Sequence, residues 1–100
     1  MGKSNLLNDI KHQPNSIISK VLAKNNSGNV TFFAIDKGEK ISEHTSSFLA
    51  SIYCVEGNLK VMIGSEENIL TNEDFINLPE NIPHSVEAIE KSKFILFMLK

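Results

Sequence analysis

The sequence predicts an all-β fold, a small β-barrel or double-sheet jelly roll. Three observations carry this reading. Turn signals recur at intervals of roughly 8–12 residues, the spacing of sandwiches and barrels. The runs between them are short and rich in Val, Ile, Phe and Leu, residues that fit a pleated, half-buried surface. One hundred residues with 41% apolar content supply one modest core, hence one domain over residues 1–100. Residues 1–14 read as an N-terminal arm and residues 30–99 as the body of the barrel.

The arm, around residues 4–12, suits one short helical turn, which Pro14 ends. Ser16 to Ala23 reads as a strand, and Asn25-Asn26-Ser27-Gly28 as a turn able to take left-handed backbone angles. Val30 to Ile35 is β-branched and aromatic, hence a strand; Asp36 to Glu39 turns; Ile41 to Thr45 is a short strand. Leu49 to Val55 is the next strand, Glu56-Gly57-Asn58 reads as a hairpin turn, and Leu59, Val61 and Ile63 alternate beyond it. Gly64 to Glu67 turns again. Asn68 to Thr71, Asp74 to Leu78, Ser85 to Ile89 and Phe94 to Leu99 complete the strands. Thr71-Asn72-Glu73-Asp74 has the form of a helix capping box, but Pro79 follows too soon for a helix.

Charge narrows the partners. The formal net charge is −2, and all ten basic residues are scattered lysines with no arginine. Bidentate recognition of phosphates and bases uses the guanidinium fork, so nucleic acid is excluded as the expected partner. Phe32, Phe33, Phe94 and Phe97 then read as core residues and not as a base-stacking set. No apolar run approaches the ~20 residues that span a bilayer, so no membrane partner is expected. The first eight residues lack a secretory apolar stretch, so the expected location is cytoplasmic. A single cysteine, Cys54, leaves no internal disulfide and no cysteine zinc cage. It reads as a small core residue, with Tyr53 facing the other way.

Three histidines could carry chemistry: His12, His44 and His84. His12 lies in the arm and reads as solvated. Strand alternation puts Ser42, His44 and Ser46 on one face, and Ala50, Ile52 and Cys54 on another shared face. His84, Val86 and Ala88 share a face, with Ser85 and Glu87 opposite. Both arrangements leave the charges outside and turn the two histidines toward the barrel interior, with Phe75 or Ile76 as candidates for its floor.

Gly38 followed after five residues by His44, and Gly57 further on, resembles the first motif of the cupin family. Glu73, Pro79, Asn81, His84 and Ala88 fall on the positions of the second motif, with Pro79 and His84 matching it. The resemblance covers roughly Val30 to Leu99 and implies a cupin-type barrel. Metal-bearing cupins converge three His and one Glu inside the barrel. Here His44 and His84 match the first and last His, Ser46 stands at the second, and Ala50 at the Glu. A divalent metal ion is thus the candidate cofactor and His44 and His84 its candidate ligands. The set is incomplete, because two imidazoles without a carboxylate hold iron or manganese poorly and fall short of the three protein ligands usual for catalytic zinc.

The expected function is a non-catalytic barrel that binds a small molecule in a pocket built from His44, His84, Ser46, Ala50, Ile52 and Phe75. The alternative is a metal-dependent enzyme of isomerase or dioxygenase type with a two-His site. A third reading is an interaction protein working through its last strand. Phe94 to Leu99 is apolar at every position. Phe94, Leu96 and Met98 can fill the barrel, or Ile95, Phe97 and Leu99 can; the other set then needs cover from a terminal segment or a second copy. A homodimer is the expected assembly.

Overall fold

A computed structural model describes residues 2–100. The arm forms a single helical turn, α1 (Leu6–Asp9), whose N-cap Asn5 accepts the Asn8 N–H on its side-chain oxygen at 3.1 Å. Seven strands follow: β1 (Ile17–Asn25), β2 (Gly28–Ile35), β3 (Lys40–His44), β4 (Leu49–Ile63), β5 (Glu66–Thr71), β6 (Phe75–Leu78) and β7 (His84–Leu99). Every pairing is antiparallel. The capping-box tetrapeptide at Thr71 makes a turn closed by Asp74, whose carboxylate accepts the Thr71 N–H at 2.8 Å.

Two strands are long, and they correct the sequence reading. Leu49 to Val55 and Leu59 to Ile63 are one strand, and so are Ser85 to Ile89 and Phe94 to Leu99. Glu56-Gly57-Asn58 is therefore not a hairpin turn. It is a bulged bend at which β4 passes from one layer to the other, opposite the Glu90–Lys93 stretch of β7. Before the bend β4 pairs with β6 and with the C-terminal half of β7, which also carries β2 and, beyond it, β1. After the bend it pairs with β5 and with the N-terminal half of β7, which carries β3. A β1-β2-β7-β4-β6 layer thus faces a β3-β7-β4-β5 layer, a double-sheet jelly roll.

The bend explains why polar residues stay in strand there. Ser92 is fully buried; its hydroxyl accepts the Asn58 N–H at 2.9 Å and donates to the Glu90 carbonyl at 2.8 Å. Gly57, at φ 116°, brings its backbone directly against Ser92.

Ile35, Ala50, Ile52, Cys54, Leu59, Val61, Leu70, Leu78, Val86, Ala88 and Phe94 form the core between the layers. Phe33 stacks on Phe94 with centroids 4.8 Å apart. A second cluster lies outside the first layer. There Leu6 and Ile10 of the arm pack against Phe32, Ala34, Ile18, Leu22, Val55 and Ile95. The buried Lys93 fastens the arm by donating from Nζ to the Leu7 carbonyl at 3.0 Å. The all-apolar last strand is thereby explained in part. Phe94 and Leu96 turn into the core, and Ile95 lies under the arm. Among the described residues no helix is long and apolar enough to cross a membrane.

Candidate functional site

β3 ends on His44 and β7 begins on His84, and the two are register partners. Their rings meet edge to face, with centroids 4.3 Å apart and the Nε2 atoms at 3.0 Å. His84 is 4% exposed, whereas His44 is exposed on its outer side. His44 Nδ1 lies 2.9 Å from the Ser42 carbonyl. A carbonyl only accepts, so His44 carries its proton on Nδ1, and its Nε2 offers a lone pair. With both rings neutral, His84 donates from Nε2 and its own Nδ1 is left as an acceptor. That Nδ1 is buried and makes no hydrogen bond. The pair is thus a directional chain, from a buried unpaired nitrogen through two imidazoles to a backbone carbonyl.

Burial lowers the His84 pKa from its ordinary value of 6.5, and the neighbouring His44 lowers it further; the Ile82 carbonyl acts weakly in the opposite sense. The unfolded chain therefore binds a proton at His84 more readily than the native one. This contribution to stability is complete above pH 6.5 and is lost as pH falls toward the lowered native value. In an NMR titration the His84 ring should show its midpoint below 6.5, and stability should decline over the same acid range. A midpoint at or above the ordinary value would mean that the ring is hydrated or paired with a carboxylate.

The other predicted site residues separate. Ala50 and Ile52 are inward and fully buried in the core. Ser46 sits near the rim, where its hydroxyl accepts the Phe48 N–H at 3.0 Å in a local turn. Its carbonyl accepts the Asn81 N–H at 2.7 Å, tying the two loops beside the histidines together. Phe75 is not in the pocket. It pairs with Tyr53 on the outer face and is 57% exposed, because alternation along β6 turns its neighbour Ile76 inward instead. The Ser42 carbonyl, which sets the histidine tautomers, carries no signal in the sequence.

His12 is half-buried and not solvated as expected. Its Nδ1 is enclosed without a partner. Burial lowers its pKa first, followed by the charges of Lys93 and Lys91. Cys54 is buried as expected, with its thiol pushed up to about 11 by burial and by the Asp74 and Glu56 charges. It is a packing residue, not a nucleophile.

The donor set does not suit a catalytic metal ion. Ala50 has no ligand atom, a neutral Ser46 hydroxyl is a weak ligand, and among the described residues no group of three His, Cys, Asp or Glu converges.

The cupin domain family matches residues 31–100. Among solved structures, a conserved Streptococcus pyogenes protein of unknown function superposes with a TM-score of 0.93 at 24% identity, over 99% of this chain and 87% of that one. A cupin superfamily protein from Desulfitobacterium hafniense gives 0.89 at 20% identity, over 94% and 86% of the two chains. A Cupin 2 conserved barrel domain protein from Leptotrichia buccalis gives 0.91 at 28% identity, covering 97% of this chain and 47% of that longer one. No curated protein matches the chain. The family match runs from within β2 to the end of the chain, including both histidines and the bend, and the chain belongs to the cupin domain family.

Proposed function

We propose that the chain is a non-catalytic cupin barrel that binds a small molecule at its His44–His84 end. The observation that supports this is the buried, unpaired His84 Nδ1 behind an exposed His44. A buried acceptor without a partner costs about 1–3 kcal/mol, and a ligand hydroxyl or amide N–H that reaches it recovers that cost. The buried His84 ring, whose pKa burial lowers, disfavours a charged imidazole there and suits an uncharged polar molecule better than an anion. Among the described residues no group of three His, Cys, Asp or Glu gathers around the two imidazoles to hold a metal ion.

The test is a ligand screen read by the His44 and His84 ring signals. Uncharged hydroxyl- or amide-bearing compounds are expected to shift both, and His84→Ala is expected to abolish the shifts. Compounds that bind without moving either ring would place the site elsewhere. Protein purified without chelator is expected to hold substoichiometric metal. One metal ion per chain, released by His44→Ala and by His84→Ala, would instead bring forward a metal-dependent enzyme of isomerase or dioxygenase type.

A further inference from the structure

The N-terminal arm is held to the barrel at a few points. Among its described residues Ile10 alone is buried, seated against Phe32 and Ala34 with Leu6 beside it. Lys93 donates to the Leu7 carbonyl, and the Asn15 N–H donates to the Asp36 carboxylate at 2.7 Å where the chain turns into β1. Asn15 takes a φ of 55° directly after Pro14, so the arm joins β1 through a sharp corner. Between these holds stands His12, whose Nδ1 is enclosed and has no hydrogen-bond partner. The charged groups around it are Lys91 and Lys93 of β7, Asp36 at the end of β2 and Glu56 of β4. Lys20 of β1 lines a furrow along the arm together with the arm's own Asp9 and Lys11.

We infer that the arm is an acid-released strap: proton uptake by His12 detaches it from the outer layer and uncovers Phe32, Ala34 and Ile95. The neutral ring leaves one enclosed nitrogen unanswered. The imidazolium donates from both nitrogens, so Nδ1 becomes an enclosed, charged donor with no acceptor, which costs more. It also sets a second cation near Lys93, whose buried ammonium is itself one of the arm's holds. Asp36 and Glu56 act in the opposite sense, but the Asp36 carboxylate already accepts the Asn15 and Lys37 N–H groups. Burial and the two lysines outweigh them and lower the His12 pKa from 6.5. In the released arm the ring is in water and takes its proton at the ordinary value. The docked arm is therefore favoured in full above pH 6.5, and that preference is lost as pH falls toward the lowered value. The strand ladders begin at Ile17, so release breaks no strand pairing.

Solution NMR of the full chain tests this. The Ile10 methyl signals read the docked fraction of the arm, and the Phe94 amide signal reads the barrel core. In wild type the released-to-docked ratio is expected to rise roughly threefold or more between about pH 7.5 and about pH 5, with the His12 ring titrating over the same range and the Phe94 signal in place. His12→Gln, neutral throughout, is expected to hold the ratio constant. Lys93→Met, which removes both a hold and a neighbouring cation, is expected to start from a looser arm at neutral pH and to respond less to acid. An Ile10 signal that stays docked in acid, or that moves equally in His12→Gln, overturns the proposal. So does an Ile10 change that comes only with loss of the Phe94 signal, because the whole barrel is then unfolding, as protonation of His84 would favour.

Discussion

Gly57→Ala is expected to lower stability by about 3–5 kcal/mol, at the extreme of single substitutions. Against a total of roughly 5–15 kcal/mol for a domain of this size, this leaves the fold marginal. The added Cβ would lie 2.6 Å from both Cα and Cβ of Ser92, and closer still to its hydroxyl oxygen. Ser92 has nowhere to go. It is fully buried, and its hydroxyl holds the Asn58 N–H and the Glu90 carbonyl. The φ of 116° adds backbone strain that no L side chain tolerates well. Gly38→Ala separates the two contributions: at φ 84° it is strained too, but its Cβ meets nothing within 4 Å. That variant should cost about 1–3 kcal/mol from strain. Urea unfolding of both variants reads the difference, and a Gly57→Ala protein no less stable than Gly38→Ala would refute the close-contact account.

Phe94→Ala should cost about 3–5 kcal/mol, and Phe94→Lys should prevent folding. Phe94 is 1% exposed, is paired in register with both Phe33 and Cys54, and stacks on Phe33. Its removal opens a void between two strands whose backbones are fixed by ladders on both sides, so the site cannot collapse. Ile95→Ala, one residue along, should cost less, because Ile95 is only half-buried beneath the arm and the arm can settle onto it. Thermal unfolding of the two alanine variants gives the order. Equal losses would mean that the inward and outward sides of β7 are wrongly assigned.

Strand positions were legible because apolar alternation is local. What joins strands was not. Glu56-Gly57-Asn58 has turn composition, yet its glycine serves a close approach to Ser92, a residue 35 positions away in the chain. Glu90 to Lys93 reads as a polar interruption because its satisfaction is tertiary: Ser92 bonds across the bend and Lys93 to the arm. The two sides of the last strand were equally apolar in sequence, since one fills the core and the other meets the arm. At the site, alternation and the family motif pointed both histidines inward; His84 is buried, whereas His44 at the end of short β3 is exposed. The local turn at Ser46 and the outward direction of Phe75 were not legible, because both depend on where a neighbouring loop or strand begins.

The two long strands have a further consequence for how the molecule opens. Each runs unbroken through both layers, so the layers share backbone and have no seam between them. A sandwich joined by loops can breathe by hinging one sheet from the other; here the same motion would have to tear the β4–β7 ladder along its length. Opening is therefore confined to the rim, where short β3 and the loops around Ser46 and Asn81 border the histidines.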